Sequence, residues 1–228
     1  MLAGSSTPSA ITAMTPTTQN DATSQAWFGL AGDRLPSFSA SWNPAASVIS
    51  TSVGISRTIF GMNRAVKPWD DENVRKAIAM GIDRKRIADN FYPEGTEVAT
   101  HFTPCPPLVP FGCEGDSWYD FDATAAKKLL TDANFDFSKT YPLSFRAAVR
   151  PYNPDPPVIA TEIQQQLEAN LGIKTSIDLQ ESGAFTKAVT AGQMEGLFIY
   201  GWGADYPDAT NFLDFHFGAG SGKKFGGP

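Results

Sequence analysis

Between Leu143 and Tyr200 the chain changes its hydrophobic period again and again, and this order restricts the fold more than any other feature. Leu143, Phe145, Ala147 and Val149 alternate, as a strand with one covered face requires. Val158 to Leu171 follows, with Ile159, Ile163, Leu167 and Leu171 on one helical stripe and Gly172 where a left-handed C-cap belongs. Ile173, Thr175, Ile177 and Leu179 alternate again. Ala184 to Ala191 reads as a short helix stopped by Gly192. Gly196 to Tyr200 (GLFIY) is apolar throughout, as a central strand covered on both faces would be. The order β-α-β-α-β predicts an α/β fold with a mostly parallel sheet flanked by helices.

Upstream signals are weaker. Residues 1 to about 24 read as loop. Gln25 to Ile59 carries aromatics broken by Gly and Pro and ends in a strand-like run, Val53 to Phe60. Asp71 can cap a helix reaching Met80, with Val74, Ala77 and Ile78 on one face. Asp83 caps a second helix through Phe91, and Asp122 opens a third, DATAAKKLLTDA. Between them, Thr96 to Trp118 is Pro-rich and irregular.

Composition removes several function classes. A net charge of −6 argues against nucleic acid as a partner and against docking on anionic membranes, since both need a basic face. No apolar run is long enough to span a bilayer. The first basic residue is Arg34 and no continuous apolar core precedes it, so the chain carries no signal-peptide pattern. Cys105 and Cys113, in CPPLVPFGC, are expected to close a loop as a disulfide in an oxidising compartment; unlinked thiols are the alternative. Zinc wants four ligands at characteristic spacing, and only His101 and His216 could join the cysteines. No metal site and no cofactor are expected.

Ligands of parallel sheets sit beyond the carboxyl ends of the strands. Arg150 and Tyr152 follow the first strand of the run, Gln180 to Ser182 the second, and GWGADYPDATNFLDF, Gly201 to Phe215, the third. Three strand ends thus offer polar and aromatic groups to one rim. Asp205 beside Trp202 suits a ligand with a cationic group and apolar bulk. Arg150 could take a carboxylate by its bidentate fork, and Tyr152, Ser182 and Tyr206 complete the candidate set. Trp202 reads equally as a core tryptophan beneath the loop. Asp205 and Asp208 could instead be the acid pair of a hydrolase, although such pairs normally come from separate elements. GAGSGKK, Gly218 to Lys224, misses the phosphate-loop spacing and reads as a flexible surface loop.

Three stretches also carry a resemblance. KPWDDENVRKAIAMGIDRKRIADNFYPEG fits a known pattern through Asn63, Pro68, Asp71, Val74, Arg75, Ala77, Ile82, Asp83 and Arg84. WYDFDATAAKKLL and GWGADYPDATNFLDFHF follow it in the right order. Over about 54–227 the chain resembles family 5 extracytoplasmic solute-binding proteins, the receptors of peptide, nickel and some oligosaccharide ABC importers. The resemblance implies a type II periplasmic-binding-protein-like lobe, incomplete in this chain. Residues 1–53 would be a segment crossing from the other lobe, and 54–228 the second ligand-binding lobe. It implies a periplasmic or extracytoplasmic monomer that makes and breaks no bond. Such a receptor closes on its solute and presents it to a membrane permease. In peptide-binding relatives the aspartate of the third stretch holds the ligand's α-ammonium and the tryptophan lines the pocket; these are Asp205 and Trp202. This chain lacks an aromatic near Ser182 and a basic residue near Ile199, which some oligopeptide receptors carry. A peptide is the favoured ligand, an oligosaccharide the alternative, and two histidines speak against nickel. One lobe presents half a cleft, so the isolated chain is expected to bind weakly.

Overall fold

Two unequal halves of sequence meet in one sheet. Its strands are β1 (Ala46–Thr51), β2 (Ser56–Met62), β3 (Thr140–Arg146), β4 (Lys174–Gln180) and β5 (Leu197–Gly203), in the order β1-β2-β5-β3-β4. This computed structural model describes residues 46–51, 56–104, 119–218 and 222–225. The Cys105 and Cys113 pair lies outside the described residues, as does nearly all of the expected 1–53 segment.

The predicted β-α-β-α-β unit is present. β3 leads through α4 (Pro156–Gln166) to β4, and β4 leads through α5 (Ser182–Thr190) to β5. β3 pairs in parallel with both β4 and β5. The sheet as a whole is mixed rather than mostly parallel, because β2 runs antiparallel to β5, and β1 antiparallel to β2. A helical crossover makes the strands it joins parallel. No such crossover fixes the direction of β2, which arrives from far upstream, and the short β1–β2 connection imposes antiparallel pairing.

Aspartates set the starts of the first three helices. In α1 (Glu72–Gly81), Asp71 accepts from the Asn73 amide at 2.7 Å. In α2 (Arg84–Phe91), Asp83 accepts from Arg86 N at 2.9 Å. In α3 (Ala123–Asp132), Asp122 accepts from Ala125 N at 2.9 Å. Each such cap contributes about 1 kcal/mol by satisfying an orphan amide. The helix expected to reach Leu171 does so, but its last turn, Leu167–Leu171, widens to π geometry before Gly172 ends it at φ 75°.

The apolar run of β5 is buried on both sides because alternate residues enter different cores. Leu197 and Ile199 join Phe60, Leu143 and Phe145 against α1, α3 and α4. Phe198 and Tyr200 join Ile59, Phe185 and Val189 of α5, and Phe212 of a further helix, α6 (Thr210–Phe217). A fully buried side chain of this size contributes roughly 1.5–3 kcal/mol.

Three boundaries differ from the sequence reading. β3 ends at Arg146, and Val149 is 64% exposed, because the chain turns back through paired backbone bonds between Arg150 and Asn153. The stretch read as one loop from Gly201 holds the end of β5 and then α6. Gly222–Phe225 is a 3-10 turn with Lys224 and Phe225 buried, not a surface loop. Phe225 stacks on Phe198 with centroids 5.9 Å apart, which draws the segment inward. Among the described residues no helix is long and apolar enough to cross a membrane.

Candidate functional site

The carboxyl ends of β3, β4 and β5 share one edge of the sheet, and antiparallel β2 begins there, with Arg57 opposite Trp202. Around the end of β5 one buried side chain organises the local structure. Asn211, in the first turn of α6, accepts through Oδ1 from the Trp202 indole N–H at 2.6 Å and from the Asp205 amide at 3.4 Å. Trp202 also stacks on Phe215, with centroids 3.8 Å apart, and meets the edge of His216 at 5.5 Å. It is half-buried: its ring packs on the core as a structural tryptophan does, and part of it still faces solvent.

Asp205 is exposed, and among the described residues nothing pairs with its carboxylate. Tyr206 is 51% exposed, its hydroxyl 3.4 Å from Thr210 Oγ1. Asp208 has a different task. Its Oδ1 accepts from Thr210 Oγ1 at 2.7 Å and from Thr210 N at 2.9 Å, just ahead of α6, and these bonds hold its carboxyl below the usual range. The second carboxylate of the acid-pair reading is thus engaged by Thr210.

On the β3 side, Tyr152 lies directly on β5. A Cβ at Gly201 would fall 2.1 Å from the Tyr152 ring, so only glycine lets the ring seat there. The Tyr152 carbonyl accepts from Thr58 Oγ1 and from Tyr92 Oη, the latter at 3.2 Å. Its hydroxyl accepts from Arg146, whose guanidinium also donates to Thr186 Oγ1 at 3.1 Å. Arg150 is exposed and donates to its neighbour's carbonyl, Val149 O, at 3.3 Å. Arg150 and Ser182 share an open groove of about 880 Å³. The candidate residues therefore fall into two adjoining groups: Trp202, Asp205 and Tyr206 at the start of α6, and Arg150, Tyr152 and Ser182 beside α5.

Two contributors escaped the sequence reading. Arg146 sits on the strand face opposite the apolar stripe that identified β3. Asn211 lay within a stretch read as loop, where nothing marked it as buried. His216 is fully buried among aromatic rings, and its Nδ1–H donates to Phe212 O at 2.7 Å. Burial pushes its imidazole down to about 3, so the ring is neutral. Among the described residues no group of three or more His, Cys, Asp or Glu side chains could hold a metal ion.

Residues 20–224 match bacterial extracellular solute-binding proteins, family 5 Middle. The chain belongs to this family. This family 5 chain is 28% identical over 181 residues to di/tripeptide-binding protein 3 of Pseudomonas aeruginosa, covering 76% of the chain and 32% of that relative. It is 29% identical over 161 residues to the dipeptide-binding protein of Escherichia coli, covering 70% of the chain and 29% of the relative. It thus spans about a third of the length of the curated relatives it matches. The solved structure of HbpA2 from Haemophilus parasuis superposes with a TM-score of 0.66 at 27% identity, covering 80% of this chain and 36% of that one. The expected kinship with the solute-binding proteins of ABC importers is borne out, and so is the helix-flanked α/β sheet of a type II lobe.

Proposed function

We propose that this chain forms part of the substrate-binding component of an ABC importer and takes a short peptide at the rim of its sheet. Asp205 pairs with the peptide's α-ammonium, Trp202 flanks the first residue, and Arg150 receives the carboxylate. The observation that carries this reading is the state of Asp205. It is an exposed carboxylate without a partner among the described residues, on a loop fixed through Asn211 beside a half-buried indole. Arg150 stands at the same edge of the sheet. The names of the relatives, which bind di- and tripeptides, support the ligand class. The complete protein acts outside the cytoplasm as a monomer. It closes over the peptide and hands it, unaltered, to a membrane permease.

The test is a thermal-shift screen of the purified chain against di- to pentapeptides at millimolar concentration. Cello- and chito-oligosaccharides, nickel and an Asp205→Ala variant run alongside. A ligand at a hundredfold excess over its dissociation constant stabilises the native state by about 2.7 kcal/mol, a shift of several degrees. A peptide shift lost in Asp205→Ala is the expected result. A shift with oligosaccharide alone, or a peptide shift that survives the substitution, overturns the assignment.

A further inference from the structure

The groove that contains Arg150 and Ser182 continues along the flank of α5 as far as Ala191. Four of its lining side chains are cationic: Arg146, Arg150, Lys187 and Lys223. Among the described residues no aspartate or glutamate lines it. None of the four takes part in an ion pair among the described residues. This concentration of positive charge occurs on a chain whose net charge is −6. Like charges gathered along one concave surface repel one another, and an anion placed among them relieves that repulsion.

Arg146 is the fixed element of the groove. It is half-buried, and its two terminal nitrogens are held by Thr186 Oγ1 and the Tyr152 hydroxyl. Thr186 is itself oriented, because its hydroxyl proton goes to Ser182 O at 2.8 Å. A guanidinium carries five N–H donors, so two such bonds leave donors for a ligand oxygen on an already ordered fork. Lys187, one residue along α5 from Thr186, and Lys223 at the far end are exposed and long enough to follow an anion.

We infer that this groove binds a carboxylate beyond the one assigned to Arg150. Under the peptide reading, on which the identity of the ligand rests, that group is an acidic side chain. Arg150 takes the α-carboxylate, while Arg146 and Lys187 take the second carboxylate. Lys223 strengthens the field from the far end. The protein therefore selects peptides that carry Asp or Glu.

The experiment is an NMR titration of the isotopically labelled chain with Ala-Glu, Ala-Gln and glutarate at constant ionic strength. Ala-Gln keeps the shape of Ala-Glu without the charge, and glutarate keeps two carboxylates without an ammonium. One extra charge pair at a partly solvated site predicts that Ala-Glu binds at least about fivefold more tightly than Ala-Gln. Arg146→Gln with Lys187→Gln brings that ratio to one. Lys187→Gln alone, at an exposed position that does not disturb the fold, lowers it. Equal affinities for the two dipeptides overturn the inference and leave the peptide reading standing. Shifts in α5 with glutarate but with neither dipeptide support the carboxylate groove and overturn the peptide reading. Silence from all three ligands overturns both.

Discussion

His216 ties the candidate site to pH. Its ring touches Trp202, Phe215, Phe102 and Phe225, and it is pushed down to about 3 by burial, with the Lys224 ammonium adding to the effect. In the unfolded chain the imidazole titrates near 6.5, so below that pH the unfolded state binds a proton that the native state refuses. The stability this group contributes is therefore complete above about pH 6.5 and falls as pH drops toward 3, by an order of 1 kcal/mol per pH unit. Urea melts at pH 7.5, 5.5 and 4.5 check this, and His216→Phe should flatten that part of the slope. An unchanged slope in the variant would assign the loss to other groups. Lys224 is placed by the same cluster: its ammonium lies 3.6 Å over the Phe215 ring and donates to Phe215 O at 2.7 Å, near the C-terminal end of α6. Neither role was legible in sequence. A histidine near a helix end looks the same whether it faces water or six aromatic rings.

At the scale of elements, the sequence was most legible where one residue type has one physical use. Asp71, Asp83 and Asp122 mark helix starts because a short acceptor readily reaches the first amides. Gly172 and Gly192 mark helix ends because both adopt positive φ, 75° and 69°. The end of β3 and the start of α6 were not legible. Alternation continues past Arg146 although pairing stops, and α6 begins behind a Gly/Pro-rich stretch that resembles any loop. The seat of Tyr152 on Gly201 couples two of these elements, β5 and the β3–α4 connection. Gly201→Ala should push the ring away and cost about 1–3 kcal/mol by overpacking, read as a drop in melting temperature. Release of Tyr152 would also free Arg146, so the Ala-Glu preference should fall in the same variant. A variant as stable as the parent would mean that the ring moves aside without resistance.

At the scale of the molecule, the residues that carry the family resemblance mostly hold the fold. Asn63 donates to Gly192 O at 2.9 Å and Met194 O at 3.1 Å, locking the end of β2 to the α5–β5 turn. Arg75 is buried and donates to Trp69 O at 2.5 Å. Arg84 donates to Tyr119 O. Such a motif identifies a scaffold without naming its ligand. The chain spans about a third of its relatives' length, and under the proposed function it supplies one wall of a cleft. The ligand then stays partly in water, where the Asp205–ammonium attraction is weak. The isolated chain is expected to bind peptide more weakly than micromolar, as titration calorimetry can measure. Micromolar binding by this chain alone would show that one wall suffices.

The sequence by itself determined the β-α-β-α-β order from β3 to β5, the caps of α1, α2 and α3, the family and the edge of the sheet at which the candidate residues gather. These follow from local rules: period, capping and strand direction after a crossover. Only the tertiary structure decided that Asp208 is engaged by Thr210 while the Asp205 carboxylate has no partner among the described residues, that Asn211 holds the loop, and that Arg146 belongs to the groove. It also decided that β1 and β2 make the sheet mixed. Burial and partnership depend on what approaches from elsewhere in the chain, and no local pattern of residues records that approach.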